Sequence, residues 1–180
     1  TMGRMLIRME ETDAGSIVMN GSDISRLSRP ELRKWRKNAQ MIFQDPYNSL
    51  NPRHTVGNAV REAMDVHDVM ASHERDDYVE ELFNRVGLRP EHRNRYPYEF
   101  SGGQLQRISI ARALSTNPSL IVCDEPVAAL DMSIRAQILN LMAELQEERG
   151  LSYVFVTHDL SLVRSIAHRI VVMRHGEVVE

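Results

Sequence analysis

Two uninterrupted apolar runs, Leu120-Ile121-Val122-Cys123 and Tyr153-Val154-Phe155-Val156, limit what this chain can fold into more than any other feature. Neither alternates with polar residues, so each reads as a strand covered on both faces. Helical periodicity flanks them at about 101–116, 132–149 and 159–167, and a third apolar run at 169–174 reads as another strand. Helix and strand alternating in this order point to an α/β fold, a mainly parallel sheet flanked by helices. Open parallel sheets bind ligands beyond the carboxyl ends of their strands. Those ends carry Asp124-Glu125 and Thr157-His158-Asp159.

Upstream, Ser16-Ile17-Val18-Met19 followed by Asn20-Gly21 reads as a short strand and a turn. Ser28-Arg29-Pro30-Glu31 has capping-box spacing and predicts a helix through Lys37. Met41-Ile42-Phe43 reads as a strand running into Gln44-Asp45-Pro46. From Thr55 to about Gly87 the apolar spacing is helical, at Val56, Ala59, Val60, Ala63 and Met64 and again at Val79, Leu82, Phe83 and Val86. The expected organisation is one domain over 1–180, with a helical lobe of about 46–115 inserted between sheet strands.

Composition narrows the class. Apolar residues at 42% and charged residues at 26% are an ordinary globular balance. A formal net charge of −3 gives no global reason to expect nucleic acid. One cysteine excludes an internal disulfide framework and fits a reducing compartment. No apolar run approaches the roughly 20 residues that span a bilayer, so work at a membrane is expected from its side, through a partner. The first residue is Thr1 and the last three, Val178-Val179-Glu180, read as a strand, so a fragment cut at both ends is expected.

Three groups of residues can carry chemistry. Ser101 and Gln104 have capping-box spacing, so a helix begins at Ser101-Gly102-Gly103-Gln104 with free backbone N–H groups at its tip. The two glycines let an anion approach that tip, and the helix dipole favours it there. Asp124 and Glu125, side by side at a strand end, suit two tasks: one carboxylate can hold Mg²⁺ and the other can deprotonate a water. His158 comes after the next strand in the same way.

Phe100-Ser101-Gly102-Gly103-Gln104 continuing into Leu105-Gln106-Arg107, Asp124-Glu125-Pro126 with Ala129-Leu130-Asp131, His158, and Gln44 after Met41-Ile42-Phe43 together resemble the signature loop, Walker B strand, D-loop, switch histidine and Q-loop of the ATP-binding-cassette (ABC) ATPases. The resemblance covers nearly the whole chain. It implies a P-loop NTPase-type fold with a RecA-like core, ATP and Mg²⁺ as ligands, and ATP hydrolysis coupled to transport. By resemblance, Glu125 is the catalytic base, His158 contacts the γ-phosphate, and Asp124 and Gln44 serve the metal. Ser101, Gly102, Gly103 and Gln104 would bind the nucleotide of a partner ATPase subunit facing head to tail, and Asp131 would couple the two sites. Gln44-Asp45-Pro46-Tyr47-Asn48-Ser49-Leu50-Asn51-Pro52-Arg53 and Tyr96-Pro97-Tyr98-Glu99-Phe100 resemble the ATPase subunits of oligopeptide, dipeptide and nickel importers. That subfamily implies permease subunits as partners, a substrate-binding protein indirectly, no nucleic acid, and a peripheral place on the cytoplasmic face of the inner membrane.

One motif departs from the pattern: no G-x-x-x-x-G-K-[ST] run occurs in these residues. Thr1-Met2-Gly3-Arg4 resembles the residues just after the lysine of that run, so Thr1 would be the last threonine of a G-K-[ST]-T sequence. These 180 residues alone are then expected to bind ATP weakly and not to turn it over. Two other readings are a soluble ABC ATPase acting on nucleic acid or ribosomes, and a non-catalytic interaction module. The insertion between Gln44 and Ser101 is short and without sustained heptads, unlike chromosome-type members. Asp124, Glu125 and His158 are all present, which weighs against decayed catalysis.

Overall fold

The computed structural model describes residues 2–180, Ser165 by its backbone alone. Helix α1 (Met2–Leu6) precedes a hairpin of β1 (Val18–Met19) and β2 (Ser22–Asp23). Asn20 and Gly21 make its turn, both at positive φ (49° and 77°), as a two-residue hairpin whose twist matches its strands requires. Helix α2 (Arg29–Trp35) starts at Ser28, where Glu31 and Ser28 close the capping box, and a 3₁₀ turn (Arg36–Asn38) leads into β3 (Ala39–Ile42).

Helices α3 (Val56–His67), α4 (Arg75–Arg85) and α5 (Gly102–Leu114) lie between β3 and β4 (Leu120–Asp124) in the chain. The continuous helical spacing over 55–87 divides in two at Asp68, which takes the left-handed conformation (φ 49°). Arg75 fixes that break: Nη1 donates to Asp65 (2.7 Å), Nη2 to Asp68 (2.5 Å), and Nε and Nη2 to the Met70 carbonyl. An arginine this buried needs such full pairing.

Helix α6 (Met132–Arg149) and helix α7 (Leu160–Ile166) flank β5 (Ser152–Val156). The sheet has the order β3-β4-β5, all parallel, with Ile42 opposite Cys123 and Cys123 opposite Phe155. The carboxyl ends of the three strands therefore finish along one edge.

The run at 169–174, expected as a further strand of this sheet, does not join it. Its strand is β6 (Met173–Arg174), which pairs antiparallel with β7 (Glu177–Val178). His175 and Gly176 turn the chain at φ 52° and 86°, so the segment satisfies its ladder locally. Ile170, Val171 and Val172 remain exposed.

Central strand β4 divides two cores. Ile121 and Cys123 belong to the larger, with Leu82, Phe83, Ile108, Leu114, Ile138 and Leu145; Val122 belongs to the smaller, with Ile7, Ala39 and Met41. Gly57 lets α3 reach the 3₁₀ turn at Pro90–Asn94: a Cβ there would stand 2.8 Å from both the Arg93 Cβ and the Arg93 carbonyl oxygen. Backbone cannot yield as a side-chain tip can. Gly57→Ala should therefore lower stability by about 1–3 kcal/mol through overpacking. Thermal unfolding checks this, with a fall in Tm of roughly 3–10 °C expected for a domain this size.

Candidate active site

Gln44, Glu125 and His158 meet at the carboxyl edge of the sheet. Gln44 lies two residues beyond β3, Glu125 follows β4 directly, and His158 lies two residues beyond β5. Glu125 adopts φ 48°, and its N–H donates to the Val156 carbonyl (2.9 Å), which extends the β4–β5 ladder by one bond and turns the side chain inward. Left-handed backbone at a non-glycine residue is uncommon and concentrates at functional positions.

Both oxygens of the Glu125 carboxylate are engaged. Gln44 Nε2 donates to Oε2 (2.8 Å). His158 Nδ1 stands 2.8 Å from Oε1. A carboxylate only accepts, so Nδ1 carries the proton and Nε2 is left for a ligand. The His158 ring is mostly exposed, whereas the Glu125 side chain is 23% exposed. A cavity of about 350 Å³ opens here, lined in part by Gln44, Glu125, Arg135, Thr157, His158 and Asp159.

Asp124 ends β4, half-buried, and among the described residues no hydrogen bond or ion pair engages its carboxylate. With the Gln44 side chain donating through Nε2, its amide oxygen is also uncommitted. Among the described residues no cluster of three or more His, Cys, Asp or Glu ligands gathers. Two isolated oxygen donors fit Mg²⁺, which takes one or two protein ligands and completes its shell with water and phosphate oxygens.

The tip of α5 stands apart. Ser101 caps the helix, its N–H donating to Gln104 Oε1 (3.0 Å) and its Oγ accepting from the Gln104 N–H (3.4 Å). Ser101 and Gly102 are exposed, and none of residues 101–104 lines the cavity. The two glycines differ in purpose. A Cβ on Gly102 would make an ordinary contact with Leu130, but one on Gly103 would stand 2.7 Å from Ile134 Cγ2. Gly103 therefore serves the packing of α5 on α6, which the spacing S-G-G-Q does not reveal. Asp131 is the exposed N-cap residue of α6, without a side-chain capping bond. Thr1 lies outside the described residues.

Arg135 was not legible as a site residue. Its guanidinium donates to the carbonyls of Leu130 (2.8 Å) and Ala128 (2.9 Å) and pairs with Asp159 (3.5 Å), tying loop 126–131 to the residue after His158. The only signal is an arginine one turn past an N-cap aspartate. Asp159 also caps α7, accepting from the N–H groups of Ser161 and Leu162.

A model of the family described as ABC transporter matches residues 1–128. The chain belongs to the ABC transporter family. It is 55% identical over its whole length to the oligopeptide transport ATP-binding protein AppF of Bacillus subtilis (strain 168), spanning 55% of that protein. It is 52% identical to OppF of the same strain, spanning 60%, and 49% identical to the glutathione import ATP-binding protein GsiA of Escherichia coli (strain K12), spanning 29%. The chain thus spans about half the length of the curated relatives first matched. Among solved structures it resembles the ATP-binding cassette MJ0796, dimeric in a post-hydrolysis state and bound to ADP and Pi. The TM-score is 0.86 and the identity 31%, over 99% of this chain and 77% of that one. A second dimeric structure of that cassette matches with a TM-score of 0.79 over 91% of the chain. Membership of the ABC transporter family and the parallel sheet flanked by helices bear out the fold expected from the sequence.

Within this ABC cassette the Asp159 cap has a pH signature. Hydrogen bonds from the Ser161 hydroxyl first, then from the Leu162 and Ser161 N–H groups, with the Arg135 charge, hold its carboxyl below the ordinary range. A depressed folded-state value adds stability that is complete above the unfolded value of about 4 and is lost as pH falls through the lower folded value. Asp159→Asn should therefore melt below the parent protein at neutral pH and converge with it in acid. Melting curves across that range check the direction.

Proposed function

We propose that the protein carrying these residues is the ATP-hydrolysing subunit of an ABC importer for peptides or a similar small solute. The observation that carries this reading is Glu125, held by both oxygens between Gln44 and His158 at the carboxyl edge of the sheet. The names of the relatives, oligopeptide and glutathione import among them, support the solute class.

Glu125 takes the proton of the attacking water, and Gln44 and His158 fix the carboxylate for it. Occupied as it is, Glu125 is oriented in a resting arrangement. With Nδ1 turned to Glu125, the exposed ring leaves Nε2 to meet a γ-phosphate oxygen, so one side chain bridges the base and the nucleotide. Mg²⁺, held by Asp124 and Gln44, would offset charge on the phosphates.

The tip at Ser101–Gln104, exposed and away from the cavity, is read as serving the nucleotide of a facing ATPase subunit. Met132, next to Asp131, is 86% exposed and Leu160, next to Asp159, 74%. Two large apolar side chains on this face favour a protein surface as its cover. The dimeric MJ0796 structures agree with that reading. Residues of about 46–115 are read as the inserted helical lobe through which permease subunits sense nucleotide. No described helix is long and apolar enough to cross a membrane, and permease subunits are read as the membrane-spanning partners.

Glu125→Gln in the natural protein keeps the shape but not the base, its amide oxygen able to accept from one of the two donors. ATP turnover should fall by about 10²–10⁴-fold with nucleotide binding retained. Steady-state hydrolysis and a binding titration check it together; undiminished hydrolysis would remove Glu125 from its role.

A further inference from the structure

Helix α2 carries a charge pattern that the active site does not use. Residues 26–37 hold six cations and one carboxylate in a chain whose formal net charge is −3, so the segment is a local positive concentration on an acidic chain. At about 100° per residue, Leu32 and Trp35 fall on one side of α2 and Arg29, Arg33 and Lys34 on the opposite arc, with Lys37 following in the 3₁₀ turn. Leu32 is buried and Trp35 packs on the smaller core, while the four cations are exposed.

None of the four side chains makes a hydrogen bond or ion pair among the described residues, whereas the half-buried Arg61, Arg93 and Arg95 and the exposed Arg85 are each paired with a carboxylate. The single acid of the segment, Glu31, is spent on the Ser28 cap (2.8 Å from the Ser28 N–H), though the charge of Lys34 reaches it. Beside this arc, His67 at the end of α3 is held below its ordinary value by burial and by the charges of Arg33, Lys37 and Arg36, in that order. The arc therefore presents a net positive field, offset only in part by Glu31.

We propose that the exposed arc of α2, Arg29, Arg33 and Lys34, together with Lys37 of the following 3₁₀ turn, docks on an anionic phospholipid surface. A one-sided array of cations, its other side packed on the core, suits a surface of phosphates. The arc carries no aromatic ring on which bases could stack, since Trp35 faces the core, and this disfavours single-stranded nucleic acid. The choice of a membrane rests on the importer reading above. Each cation placed in this way is worth about 1 kcal/mol at an anionic leaflet, roughly fivefold in partition, and the gain is confined to a Debye length of the surface.

The test is co-sedimentation of the natural protein, without nucleotide, with phosphatidylcholine vesicles that contain or lack one-third phosphatidylglycerol. Partition onto the anionic vesicles only, abolished near 1 M salt where the Debye length is about 3 Å, is expected. The triple variant Arg29→Gln, Arg33→Gln, Lys37→Gln should partition roughly a hundredfold more weakly, and Arg33→Gln alone roughly fivefold, which keeps the test decisive if the triple variant misfolds. Both should hydrolyse ATP at the parent rate. Equal partition of parent and variants, partition onto neutral vesicles, or binding of RNA but not of vesicles would each overturn the proposal. Vesicle binding without ATP hydrolysis would defeat the active-site reading and leave this surface standing; hydrolysis without vesicle binding would do the reverse.

Discussion

The in-register parallel pairing of β3, β4 and β5 is the constraint on which the rest of the molecule depends. Ile42, Cys123 and Phe155 stand in one row across the sheet. Every group that meets in the cavity is counted from that row: Gln44 is two residues beyond it, Glu125 two and His158 three. A slip of one residue in any strand would turn its side chains to the opposite face, and Gln44 or His158 would then miss the Glu125 carboxylate. The site is thus a consequence of register before it is a consequence of side-chain identity.

Register in turn is held by burial on both faces of β4. Ile121 and Cys123 must meet the helices on one side while Val122 meets Ile7, Ala39 and Met41 on the other. Shifting the strand would exchange these sets between cores of different size, and close-packed interiors tolerate volume changes poorly. The same burial raises the Cys123 thiol well above its ordinary value, so that a cysteine beside two carboxylates stays protonated and inert. Glu125, the first residue past this packing, takes the left-handed turn that a buried ladder position would not allow.

How much of the molecule the sequence disclosed depends on which interactions are local. The limits of α6 and the start of α5 were legible because caps and helical spacing are local, and β4 because four apolar residues in a row admit few alternatives. The meeting of Gln44, Glu125 and His158 came from motif resemblance; nothing in composition brings residues 81 and 33 positions apart into contact. Three features were hidden. The break at Asp68 depends on Arg75, whose neighbours are set by the fold. Gly103 against Ile134 is a contact between helices, invisible to spacing. The run at 169–174 has the composition of a sheet strand, yet its turn at His175-Gly176 closes a hairpin first, because a local ladder costs less chain entropy than a distant one.

Strand β3 also separates two environments. Its amino end continues α2, where the Lys37 carbonyl accepts from Thr116 Oγ1 (2.9 Å) and the Asn38 carbonyl from the Ser119 N–H (3.0 Å). Its carboxyl end leads to Gln44. The four strand residues of β3 advance the chain about 13 Å, more than one Debye length at physiological salt, so charge at one end of β3 is largely screened from the other through solvent. Helix α5 runs from the exposed Ser101 tip to Leu114, two residues short of the Thr116 that is bonded to the carbonyl at the base of β3. The base of β3 is thus tied to the C-terminal end of α5, while its far end leads to the Glu125 carboxylate through Gln44.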